Sequence, residues 1–152
     1  MVNTKEKLVR SEDGLLTTVA YKLNNETNYA LEGSIYSCGN IIQWLRDKME
    51  FFESAKESEL LINSNWESGN VHFLPAFNGL GAPYWNSDVR GGFQGITQNS
   101  DKKDFVTAAF KSICYQTKDI IESLNNKNIF INDLLVDGGM TSNNTFCQLL
   151  SD

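Results

Sequence analysis

Two short stretches of this sequence carry the residue types from which a phosphate or nucleotide site is built. The first is Leu134-Leu135-Val136-Asp137-Gly138-Gly139-Met140-Thr141-Ser142-Asn143-Asn144. An apolar run meets an acidic residue and two glycines, and a helix pattern follows over Thr145 to Leu150. Three successive apolar residues suit a strand buried on both faces. The glycine pair permits a sharp turn and close approach of another group to the backbone. Ser142 or Asn143 is placed to cap the next helix, whose positive end then faces the turn. The second stretch is Ser37-Cys38-Gly39-Asn40 with Gln43, where Gly39 and Gln43 stand one helical turn apart at a helix start. Both patterns also occur in α/β proteins that bind nothing there, with the glycines serving turns or packing and Gln43 simply solvated.

Other chemistries find little material. His72 is the only histidine, without a second imidazole or a close acidic partner for a metal site or a triad, so it reads as a strand residue. Cys38, Cys114 and Cys147 are odd in number and lack a C-x-x-C pair, as expected of buried free thiols in a reducing compartment. Gly79-Leu80-Gly81 is followed by Ala82-Pro83-Tyr84-Trp85, which is no dinucleotide fingerprint, and no P-loop lysine follows. Arg90 is in reach of a phosphate or of a surface ion pair. A formal net charge of −6 argues against a nucleic-acid or anionic-membrane surface. No secretory or membrane-spanning apolar run is present, so the chain reads as cytoplasmic.

The elements that must hold these stretches follow from periodicity. Leu15 to Tyr21 and Thr27 to Tyr36, joined at Asn24-Asn25-Glu26 and preceded by Asp13-Gly14, form a β-hairpin. Ile41, Ile42, Trp44, Leu45, Met49 and Phe52 mark an amphipathic helix. A short helix is expected over Ser58 to Ile62 and a strand over Val71 to Leu74. Phe77 to Gly95 reads as a long ordered loop pinned by Tyr84 and Trp85. The longest helix runs about Lys103 to Leu124, capped by Ser100 or Asp101, with Val106, Phe110, Ile113, Thr117, Ile120 and Leu124 as its buried stripe.

Five segments then stand together in order: Asn28-Tyr29-Ala30-Leu31-Glu32-Gly33, Gln43-Trp44-Leu45-Arg46-Asp47, Gly79-Leu80-Gly81-Ala82-Pro83-Tyr84-Trp85, Tyr115-Gln116-Thr117 and Val136-Asp137-Gly138-Gly139. Their order and spacing resemble the FGGY carbohydrate kinases, and within them the glycerol kinase branch. The resemblance covers essentially the whole chain. It implies an α/β, actin-like ATPase or ribonuclease-H-like fold with a mixed sheet flanked by helices. Residues 1–152 would be a partial C-terminal, nucleotide-binding domain, truncated at both ends, with the N-terminal domain absent.

The implied activity is transfer of the γ-phosphoryl of ATP to glycerol, chemistry that rests on positioning, charge neutralisation and a carboxylate base. Carried over by motif, Gly39, Gln43, Gly139 and Asn143 are the nucleotide contacts. No residue here matches the catalytic base or a metal ligand. Mg²⁺ and glycerol would be held mainly by the absent portion, and the resemblance leaves room for a homo-oligomer. Lys111 departs from the acidic residue usual at its position, and Gln98-Asn99 from Arg-Gly. The alternatives are a non-catalytic or decayed remnant and a piece of another FGGY sugar kinase such as a xylulokinase. An exposed helix face and sheet edge are expected to make the isolated chain marginally stable or prone to aggregate.

Overall fold

The computed structural model describes residues 1–11, 14–62 and 69–152; Asp13 of the expected turn pair lies outside them. The hairpin forms as β2 (Leu16–Leu23) and β3 (Glu26–Glu32). Asn24 and Asn25 close it with φ of 48° and 67°, the left-handed pair that matches the twist of a two-residue hairpin turn. The N-terminal residues add a strand that the sequence did not advertise, β1 (Val2–Lys5), which pairs antiparallel with the other edge of β3. The sheet order is β1-β3-β2. Central β3 carries the fully buried Ala30 and Leu31, while Leu16, Val19, Tyr21 and Leu23 of edge strand β2 remain exposed.

A second, larger core lies beside it. Helix α1 (Gly39–Asp47) buries Ile41, Ile42 and Leu45, and α2 (Ala55–Leu61) follows. A small antiparallel sheet pairs β4 (His72–Leu74) with β5 (Gly92–Gln94). It carries Phe73 stacked on Phe93, ring centroids 4.3 Å apart. Helix α3 (Lys102–Asn125) spans both cores: Val106, Ala109, Phe110 and Ile113 enter the larger one and Leu124 joins Leu15 and Leu31 in the smaller. Its start is fixed by a capping box, in which Asp101 accepts from Lys103 and Asp104 N–H and Asp104 accepts from Asp101 N–H. A 3-10 turn (Gly139–Ser142) leads into α4 (Asn144–Ser151), whose Phe146 packs on Phe110 at 5.7 Å.

Three expectations need correction. The first helix stops at Asp47 rather than reaching Phe52. The amides of Lys48 and Met49 both donate to Trp44 C=O, and Glu50 turns left-handed at φ 54°, which folds Phe52 back into the core. The loop 77–95 contains β5, and Arg90 donates to the carbonyls of Ser87 and Val89, with no ion pair to it among the described residues. Leu134-Leu135-Val136 is not a buried strand: it belongs to no sheet among the described residues, and its side chains are 46%, 95% and 48% exposed. An extended apolar run becomes a strand only where another strand meets its backbone, and here none does.

The pinning of the long loop holds. Tyr84 Oη donates to Asp119 on α3 at 3.0 Å, and Trp85 Nε1 donates to Gly14 C=O. At Gly81 a Cβ would lie 2.1 Å from Ser34 C=O, so only glycine lets the loop reach the end of β3.

Candidate functional site

All four sequence-derived contacts, Gly39, Gln43, Gly139 and Asn143, line one cavity of about 340 Å³. It lies between the start of α1, the 3-10 turn and the start of α4. Gly39 is the first residue of α1, and the residue before it, Cys38, makes no side-chain cap. The 3-10 turn likewise begins after Gly138 with no side-chain cap. Helices α2, α3 and α4 are capped instead by Ser54, Asp101 and Asn143. The two starts without a capping side chain are thus the two that bring a glycine to the cavity.

Local chemistry sets each turn. Gly138 sits at φ 101°, ψ 175°, a conformation open essentially to glycine, and its N–H donates to Asp137 Oδ1 at 2.7 Å. Thr141 and Ser142 hydroxyls donate back to Gly138 and Gly139 carbonyls, tightening the turn. On the facing side Asn40 Oδ1 accepts from Cys38 N–H at 2.7 Å. The two turns touch through sulfur, Cys38 Sγ lying 3.5 Å from Met140 Sδ, and burial pushes the Cys38 thiol up from its ordinary value.

The start of α4 is occupied by protein groups. Asn143 Oδ1 accepts from Phe146 N–H at 2.8 Å, and Glu59 Oε1 of α2 accepts from Thr145 N–H at 3.2 Å. The starts left without a capping side chain, where an anion would find room, are therefore the 3-10 turn and α1 rather than the α4 end that the sequence suggested. Asn143 caps α4, and its Nδ2 is buried without a hydrogen-bond partner.

Sequence reasoning missed the rest of the lining. Ile42, Phe52, Phe110 and Met140 make an apolar wall, and Arg46 is the one cationic side chain on it among the described residues. These residues come from separate elements, so no spacing announces them, although Ile42 and Arg46 share α1 with Gly39 and Gln43. Arg46 is held by Asp47 through two hydrogen bonds, and this partner lowers the Asp47 carboxyl below its ordinary value. Among the described residues no carboxylate lines the cavity. His72 is exposed on β4 opposite Gln94, away from it. Among the described residues no group of three or more His, Cys, Asp or Glu side chains is arranged to hold a metal.

A capped helix, two glycine turns and an apolar slot define a cavity suited to a flat ring joined to an anionic tail. The chain belongs to the FGGY family of carbohydrate kinases: the profile of that family's C-terminal domain matches residues 1–152. Its fold is the actin-like ATPase fold of those kinases. Among curated relatives, the glycerol kinases of Marinomonas sp. (strain MWYL1) and Staphylococcus haemolyticus are each 46% identical over the whole of this chain. The chain spans 31% of the length of either relative. The crystal structure of Plasmodium falciparum glycerol kinase with ADP superposes with a TM-score of 0.82 at 39% identity, over 99% of this chain and 30% of that one. A xylulose kinase from Brucella ovis reaches the same TM-score of 0.82 at 18% identity, over 98% of this chain and 30% of that one, which speaks to the fold alone.

Proposed function

We propose that this chain forms the nucleotide-binding wall of an ATP-dependent glycerol kinase, with Gly39, Gln43, Gly139 and Asn143 as the nucleotide contacts. One observation carries the reading: these residues, about a hundred positions apart in two pairs, converge on one cavity with an apolar slot beside two glycine turns. The polyphosphate lies along the turns at Gly39 and Gly139. The base enters the slot formed by Ile42, Phe52 and Phe110. Asn143, with Oδ1 committed to its cap, offers Nδ2 as a donor to a ligand acceptor.

Magnesium accompanies the nucleotide in phosphoryl transfer and prefers oxygen ligands, especially carboxylates. Among the described residues the cavity has none, so its described lining does not fit a magnesium site. The base that accepts the glycerol proton is likewise not assigned to any residue of this chain. By itself the chain binds nucleotide and does not turn over. Glycerol is favoured over other sugars and polyols because the relatives matched over the whole of this chain at 46% identity are glycerol kinases. A cytoplasmic setting belongs to this proposal. No helix of the described residues is long and apolar enough to cross a membrane.

The test is calorimetry with ADP, followed by co-expression with a separately encoded N-terminal half and an assay of glycerol-dependent ADP release. Binding by the chain, and turnover only in the pair, are expected. Absence of heat at millimolar ADP overturns the nucleotide reading, and a pair that is active on xylulose but not on glycerol overturns the substrate.

A further inference from the structure

The cavity has a direction, and Arg46 stands at one end of it. Gly39, Gln43 and Arg46 are spaced i, i+4 and i+7 on α1 and line the same wall. At about 1.5 Å rise per residue, the Arg46 backbone lies about 10 Å along the helix from Gly39. The apolar side chains of Ile42, Phe52 and Phe110 line the cavity with them.

Beyond Arg46 the surface turns acidic. A neighbouring depression shares Arg46 and Phe52 with the cavity and is otherwise lined by Asp47, Glu50, Glu53, Glu57, Phe51 and Lys102. Among the described residues, four carboxylates against two cations make that end a poor seat for phosphates. The anionic tail is thereby directed to the glycine turns, and the base to Arg46.

The guanidinium is pre-set for this place. Nε donates to Asp47 Oδ1 at 2.6 Å and Nη2 to Asp47 Oδ2 at 3.0 Å, a bidentate pair that fixes the plane. Nη1 and the faces of the plane are left over. A planar cation beside an apolar slot suits the face of an aromatic ring.

We propose that Arg46 caps the base of the bound nucleotide by stacking its guanidinium on the ring, and that Asp47 is the positioning residue that holds it flat. This rests on the nucleotide reading of the cavity. It adds a contact at the base end that the four motif residues do not supply.

The experiment uses the full chain and etheno-ADP, whose fluorescent base reports its own surroundings. Affinity is measured by titration, and exposure of the bound base by acrylamide quenching, for the wild type, Arg46→Met and Asp47→Asn. Arg46→Met is expected to weaken binding about threefold to fivefold, as a solvent-accessible cation–π contact would, and to open the bound base to acrylamide. Asp47→Asn is expected to keep the arginine and produce a smaller change in the same two readouts. Weaker binding with unchanged quenching makes Arg46 a phosphate ligand and overturns the proposal, as does no change in either. A wild type that binds neither etheno-ADP nor ADP overturns the nucleotide reading beneath it, whereas failure at Arg46 alone leaves that reading standing.

Discussion

Asn143 and Phe146 share a hydrogen bond that divides one side chain between two tasks: Asn143 Oδ1 accepts from Phe146 N–H at 2.8 Å, while Asn143 Nδ2 is buried with no partner. The oxygen stabilises α4, and in the proposed nucleotide reading the nitrogen is what remains for the ligand. Two substitutions separate these tasks. Asn143→Ala removes both, and should cost about 1 kcal/mol of stability as well as ADP affinity. Asn143→Asp keeps the capping oxygen and adds a negative charge at a helix N-terminus, which is favourable there. It should match the wild type in a thermal melt yet bind ADP about tenfold more weakly, since the donor is gone and a carboxylate faces the ligand. Equal ADP affinity in the two folded proteins would remove Asn143 from the site.

Gly39 tests the opposite wall. A Cβ built there meets only Met140, at 3.9 Å from Sδ and 4.0 Å from Cγ, which is ordinary contact. Gly39→Ala should therefore leave stability within about 0.5 kcal/mol of the wild type. Gly39→Val carries more bulk into the cavity, so ADP affinity should fall in the order Gly, Ala, Val, as read by calorimetry. A valine variant with wild-type affinity would place the nucleotide elsewhere.

The hairpin, the long α3 helix with its Asp101 cap, and the pinned loop were legible because local pattern and tertiary contacts agree there. Strand β1 was not, since only two of its four residues turn inward and its partners Ala30 and Leu31 lie far along the chain. The end of α1 was hidden by its continuing apolar pattern: Met49 and Phe52 fit a helix, and the left-handed turn at Glu50 leaves no sequence cue. Leu134-Leu135-Val136 misled for the reverse reason, a strand pattern without a pairing partner. In the site, the glycines and amides were visible through motifs. Phe52, Phe110 and Met140 were not, because a cavity wall assembled from separate elements has no period.

The thiol of Cys114 gives a prediction in pH. Burial, with the neighbouring Cys38 thiolate adding to it, pushes Cys114 up to about 12 from its ordinary 9.0. A group that ionises later in the folded than in the unfolded chain stabilises the fold fully below the unfolded value. That contribution is lost as pH rises from about 9 toward 12, because the unfolded thiol then sheds its proton while the native one does not. Urea midpoints should fall over this window, and Cys114→Ala should flatten the fall; an equally steep profile in that variant would refute the assignment. At pH 8 iodoacetamide should label Cys114 slowly in the native chain and readily in urea.

Leu135 carries the last prediction. Its side chain is 95% exposed, between Leu134 and Val136 at 46% and 48%, on an extended stretch that no strand of the described residues pairs. The same stretch rims a groove of about 390 Å³ with Ile121, Ile131, Cys147 and Leu150. Unpaired backbone beside contiguous apolar side chains favours association between copies, because pairing satisfies the backbone groups and burial removes apolar surface from water. Leu135→Glu sacrifices almost no native contact, so the thermal midpoint should stay within what a surface change allows, about 0.5 kcal/mol. It also makes an already acidic chain, at formal net charge −6, more negative. Light scattering at matched concentration should then show association of the wild type that the variant lacks. Two equally monomeric proteins would show that the stretch is covered or harmless in solution, and two equally associated ones would move the sticky surface elsewhere, with the exposed Val19, Tyr21 and Leu23 of edge strand β2 the next to test.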